Sequence, residues 1–123
     1  MLKSLLCVFL GGGIGSVLRY TLSLVITVTN GAFPLATLTA NLIGSFAIGA
    51  FYAISSKLGW PQDIRLLLTT GLCGGFTTFS TLTYESYNLL RNQCYTTLAI
   101  YIIASILLGA FMVWLGATLT AKI

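Results

Sequence analysis

From Gly71 to Ser80 the chain reads Gly-Leu-Cys-Gly-Gly-Phe-Thr-Thr-Phe-Ser, glycines and hydroxyls inside a segment otherwise apolar enough to cross a membrane. Glycine admits backbone angles that end a helix. Carbonyls released in this way are tolerated in lipid only where protein, water or an ion satisfies them. The chemistry on offer is ion binding by backbone oxygens. Thr37, Asn41 and Ser45 recur every four residues and so share one helix face, stacking amide and hydroxyl groups. Asn41 is the strongest member, because its NH₂ group can donate to an anion. Tyr101, Ser105 and Gly109 repeat the spacing farther along. Arg19 lies deep in an apolar run, at a cost of roughly 2.5 to 3.5 kcal/mol unless it snorkels or finds a partner. An interfacial snorkel and an anion-attracting charge at a vestibule are both open to it. Phe76 and Phe79 flank Thr77 and Thr78; core packing is the default for such rings, although a ring edge can also meet an anion.

Other chemistries have little to build on. The chain has no histidine, and its only carboxylates, Asp63 and Glu85, fall toward opposite ends of the third apolar segment. No nucleophile stands with a base, and no metal-ligand set of side chains is present. Cys7, Cys73 and Cys94 are odd in number, match no ligand spacing and read as small packing residues. The net charge of +4 is spread over a few residues, with no cluster suited to nucleic acid or anionic lipid. Interhelical hydrogen bonding, worth about 0.6 kcal/mol on average in membranes, is the plain alternative for any single hydroxyl. Two polar tracks beside a broken helix favour a polar pathway.

The elements that must hold these groups follow from composition, since 57% of the residues are hydrophobic and 7% charged. That balance suits a lipid bilayer better than a soluble domain. Turn chemistry at Thr29-Asn30-Gly31 with Pro34, at Gly59-Trp60-Pro61-Gln62-Asp63 and at Arg91-Asn92-Gln93 divides the chain into four spans, near 4–28, 33–55, 64–90 and 95–120. One all-helical membrane domain, 1–123, is the expectation. The third span is longer than a straight helix needs, and a break at its glycine-rich centre relieves the excess. No small-x-small cleavage site follows the first apolar residues, so that helix is expected to be retained. Lys3, Lys57, Arg65 and Lys122 on the terminal side give a weak bias toward cytoplasmic termini. Gly11 with Gly15, Ala40 with Gly44, and Gly71 with Gly75 have the four-residue spacing of close helix contacts. Four short helices enclose little volume, so a route across the membrane calls for an oligomer.

At these residues the sequence resembles a known family, the small fluoride channels called Fluc or CrcB. The likeness runs through Gly11-Gly12-Gly13-Ile14-Gly15-Ser16 with Arg19, through Thr37 and Asn41-Leu42-Ile43-Gly44, through Gly71 to Thr81, and through Tyr101 with Ser105. The resemblance implies passive export of cytoplasmic fluoride, hence fluoride resistance, and no enzymatic activity. It further implies a bacterial inner-membrane protein and a homodimer of dual topology with two fluoride pores. One structural sodium ion would be held by the backbone carbonyls of Gly74 and Thr77 from both subunits. Fluoride would pass Asn41 and the edge of Phe79, then the hydroxyls of Tyr101 and Ser105, with Thr37 and Phe76 nearby. Arg19 would stand near the vestibule and Glu85 near the other mouth. Two positions depart from the family pattern: the second pore phenylalanine falls at Leu82, and a serine of the fourth-helix track falls at Gly109. A proton-coupled exporter and a non-conducting assembly protein are the competing readings. The first needs a carboxylate in the membrane to exchange protons, and the second gives the polar tracks no use.

Overall fold

A computed structural model describes residues 1–26 and 33–123. Helix α1 spans Leu2–Val25 and α2 spans Leu35–Leu58. The next segment is built in pieces: α3 (Gln62–Leu66), a π-helical stretch (Leu67–Cys73), α4 (Gly74–Phe76) and, after three non-helical residues, α5 (Ser80–Arg91). Helix α6 runs over Tyr95–Ala121. Among the described residues three helices, α1, α2 and α6, are long and apolar enough to cross a membrane. The described residues contain no strand.

The ends of these helices follow from local chemistry. Pro34 stands immediately before α2, where its missing N–H costs nothing. Gly59 ends the same helix with φ +64, a left-handed angle that glycine adopts without strain, and its amide donates to the Ser55 carbonyl at 2.9 Å. Pro61 then forbids continuation. Between α5 and α6 the left-handed residue is Gln93, with φ 61, and the Cys94 amide returns to the Leu89 carbonyl at 2.8 Å. The turn expected at Thr29-Asn30-Gly31 lies outside the described residues.

Two glycine contacts set the packing. Helices α2 and α6 touch where a Cβ on Gly49 would run into the Val113 carbonyl and one on Gly116 into the Phe46 carbonyl. Helix α1 lies equally close to the pieced segment. A Cβ on Gly11 would strike the Leu67 carbonyl, one on Gly15 the Leu72 carbonyl, and one on Gly75 the Gly12 carbonyl. The pairs Gly11/Gly15 and Gly71/Gly75 are thus two sides of one interface, as small-xxx-small spacing allows. Lys3 pairs with Asp63 at 3.5 Å and Ser4 donates to the same carboxylate at 2.9 Å, tying the start of α1 to the start of α3. A small core of Leu38, Leu89 and Tyr101 joins α2, α5 and α6. Large apolar side chains such as Phe9, Ile14, Ile106 and Trp114 face outward, the arrangement a lipid solvent favours.

Candidate functional site

The site grows from the point where the helix stops. The Cys73 carbonyl takes the last helical bonds, from the Thr77 amide at 3.0 Å and the Thr77 hydroxyl at 2.9 Å. Thr77 then turns extended, φ -86 and ψ 160. Its methyl group sits in the notch left by Gly44, where a Cβ would collide with it, so the small residue of α2 makes room for the break. Helix carbonyls beyond Cys73 have lost their partners four residues on and must find others.

Side chains from two different helices supply some of them. The Arg19 Nε of α1 donates to the Gly75 carbonyl at 3.3 Å. A cation at a helix C-terminus is also favoured by the helix dipole, and a charge-assisted bond contributes about 1.5–3 kcal/mol. From α2, Asn41 engages both backbone groups of Thr78: its Oδ1 accepts from the Thr78 amide at 2.8 Å, and its Nδ2 donates to the Thr78 carbonyl at 3.2 Å. The Thr78 hydroxyl in turn accepts from the Thr81 amide at 3.2 Å, as a capping side chain does at the start of a helix. No hydrogen bond from a described residue ends on the carbonyls of Gly74 or Thr77. Oxygens left in this state are the donor type a hard cation takes, so the break fits a cation held by backbone rather than by side chains. Among the described residues no group of three His, Cys, Asp or Glu side chains offers an alternative metal centre.

Beside the break lies a cavity of about 310 Å³, lined by Arg19, Tyr20 and Ser23 of α1, Thr37 of α2, and Thr78, Thr81 and Glu85 of the segment after the break. Arg19 and Glu85, expected near opposite mouths, line this one cavity. The reason is geometric: α1 runs alongside the third segment past the break, so residue 19 arrives beside residue 75, and Glu85 follows Thr78 and Thr81 at helical spacing. The described residues show no ion pair between Arg19 and Glu85. The carboxylate instead accepts from the Tyr101 hydroxyl at 2.9 Å. Tyr101 is wholly buried and meets Phe33 edge-to-face, ring centroids 5.5 Å apart. It stands behind Glu85 and does not line the cavity.

The remaining expected residues scatter. Thr37 is buried at the cavity wall. The Ser105 hydroxyl is buried without a hydrogen-bond partner among the described residues. Phe76 lies half-buried against Gly44, whereas Phe79 is 76% exposed on the outside of the chain, so the two rings do not share a surface. Leu82 packs against the Leu38, Leu89 and Tyr101 core rather than beside Phe79. Gly74 is exposed. Sequence reasoning missed Thr78 and Thr81 as a unit, although Thr-x-x-Thr at the start of a helix is a capping spacing. It also missed the contact of Arg19 with Gly75, which depends on how two helices are registered and leaves no mark within either.

Comparison with known proteins adds an independent line. The family model described as CrcB-like protein, Camphor Resistance (CrcB), matches residues 6–117. A protein of Phocaeicola vulgatus named fluoride-specific ion channel FluC is 51% identical over 118 residues, 94% of this chain and 96% of its own length. Proteins of the same name from Bacteroides fragilis and Pyrococcus furiosus are 41% and 40% identical, each covering at least 96% of both chains.

Proposed function

We propose, from the premise that this chain belongs to the CrcB family of multi-pass membrane proteins, that it is a passive fluoride-selective channel that exports cytoplasmic fluoride and confers fluoride resistance. The observation that carries the reading is 51% identity, over nearly the full length of both chains, to a protein named for fluoride conduction. The chemistry agrees with it. Hydrogen fluoride enters cells as a neutral weak acid and dissociates inside, and a passive leak driven by the membrane potential relieves the trapped anion. The family is one of channels, and the chain is read as no enzyme.

The working unit is read as a homodimer of dual topology in a bacterial inner membrane, each chain a single domain of residues 1–123. In support, Phe79 and Gly74 are exposed on a single chain although one is a large ring and the other lies at a helix end with a carbonyl that no described residue bonds. A second copy would cover both. A structural sodium ion would be held by the carbonyls of Gly74 and Thr77 from the two subunits. When bound, it supplies a fixed positive charge between two anion paths, where the low dielectric makes Coulomb attraction effective. The chain's own residues would form the path: Arg19, Thr37 and Glu85 about the vestibule cavity, the second amide hydrogen of Asn41 and the ring edge of Phe79, with Phe76 at the break, Tyr101 behind Glu85 and Ser105 farther along α6. Hydrogen-bond donors and ring edges replace part of the anion's hydration without the deep trap of a lysine.

Reconstitution into liposomes loaded with potassium fluoride tests this reading. With a potassium ionophore present, the purified protein should release fluoride rapidly and chloride far more slowly. Equal release of both ions, or release no faster than from empty liposomes, rejects it.

A further inference from the structure

We infer that Asn41 is a positioning residue: it holds the non-helical Thr78 by both backbone groups, and through Thr78 it fixes where α5 starts and where the cavity wall stands. The inference rests on the channel reading above only for its flux measurement. An asparagine side chain carries one acceptor and one donor side by side, which matches the N–H and C=O of a single residue. Both matches are made here, at 2.8 and 3.2 Å. A group whose task was only to donate to an anion would have no use for Oδ1, yet that oxygen makes the shorter of the two bonds.

The consequence runs along the chain. Backbone groups left without partners away from water are costly, and Thr78 lies just past the end of the helix, where the ladder no longer serves it. Once clipped, the Thr78 hydroxyl accepts from the Thr81 amide at 3.2 Å and donates to the Thr81 hydroxyl at 3.2 Å. Thr81 and Glu85 are four residues apart on one face of α5, and Thr78 just before the helix joins them in the cavity wall. Glu85 then meets the Tyr101 hydroxyl at 2.9 Å. A polar residue on α2 thereby sets the placement of a carboxylate on α5.

The test is amide hydrogen exchange at Thr78, read by NMR on the full-length protein in micelles, with fluoride efflux measured in parallel. Asn41→Ala should speed exchange at Thr78 roughly tenfold, the equivalent of one lost buried hydrogen bond, and reduce flux per folded protein. Asn41→Asp guards against a variant that fails to fold. Near pH 8 its ionised carboxylate keeps the acceptor and loses the donor; near pH 3, below the ordinary aspartate value of about 3.9, the protonated acid regains the donor, so protection at Thr78 should rise again as pH falls. The other charged or titratable groups about the break and its cavity are Arg19 and Tyr20 of α1, Cys73 of the π-helical stretch, Glu85 of α5 and Tyr101 of α6. Wild-type protein run at both pH values reports their contribution. Unchanged Thr78 protection in Asn41→Ala, no acid recovery in Asn41→Asp, or lost protection with flux intact would each overturn the positioning role. A wild-type protein silent toward fluoride, whose Thr78 still loses protection in Asn41→Ala, would reject the fluoride reading and leave the clip standing.

Discussion

Two helix contacts in this molecule use the same device and do different things with it. Between α2 and α6, Gly49 and Gly116 let backbones touch, and both helices run on unbroken from end to end. Between α1 and the third segment, Gly11, Gly15 and Gly75 give an equally close approach, but the segment passes through a π-helical stretch and stops at Phe76. In the first contact every carbonyl that a glycine faces lies within a continuous helix. In the second, helix carbonyls emerge beside the contact and are met by Arg19 and by Thr77 of the break. Close approach alone packs a membrane protein. Close approach beside a helix end delivers polar groups to one place and holds them there.

The largest effect should come from filling the contact that carries the break. Gly75→Ala puts a Cβ into the Gly12 carbonyl, an overpacking that costs about 1–3 kcal/mol and must displace the residues that follow. Fluoride efflux per folded protein is expected to fall about a hundredfold, with helix content by circular dichroism retained. Gly49→Ala makes an equally severe clash with Val113 and sharpens the contrast. It should lower the melting temperature while leaving flux per folded protein within about threefold of wild type. Equal flux losses in the two variants would dissolve the distinction drawn here.

Next in size is Arg19→Gln, which removes the cation from the Gly75 carbonyl and from the cavity together. A lost charge-assisted bond of about 1.5–3 kcal/mol corresponds to a tenfold or greater loss of efflux rate. Arg19→Lys should recover part of it, because an ammonium keeps the charge but not the planar donor array. Phe79→Ile is expected to cost severalfold in efflux, since it removes a ring edge, whereas Leu82→Phe should change flux less. Leu82 belongs to the core around Tyr101, so the added ring should appear mainly as a shift in thermal stability. The smallest effect belongs to Gly109→Ser. A Cβ there would stand 3.7 Å from the Ser45 Oγ, an ordinary contact, and the new hydroxyl can pair with Ser45. Thermal stability should change by less than about 1 kcal/mol.

The helices were legible because apolar runs and turn residues report local preference. Gly59 and Pro61 mark the end of α2 and the start of α3 as their chemistry requires. The four-residue glycine spacings also pointed to close contacts, and the structure supplies the partners, Gly11 and Gly15 against the stretch that contains Gly71 and Gly75. The cavity was less legible, because its members come from α1, α2 and α5 and meet only through helix register. Arg19 had two readings open from sequence, a snorkel or a vestibule charge. The structure adds a third contact, the Gly75 carbonyl, and keeps the cavity position. Asn41 read as a donor on a polar face; that it grips Thr78 with both ends follows from the approach of α2 to the break, which no spacing within α2 encodes.

The central claim is that this chain forms a passive path for fluoride, and a planar-bilayer recording across a fluoride gradient tests it most directly. The account predicts a current that reverses at the fluoride equilibrium potential, about 59 mV for each tenfold gradient of a univalent ion. That reversal should stay fixed when chloride or pH is changed on one side. A reversal that follows the chloride or proton gradient, or the absence of any current from protein that is folded and inserted, would contradict it.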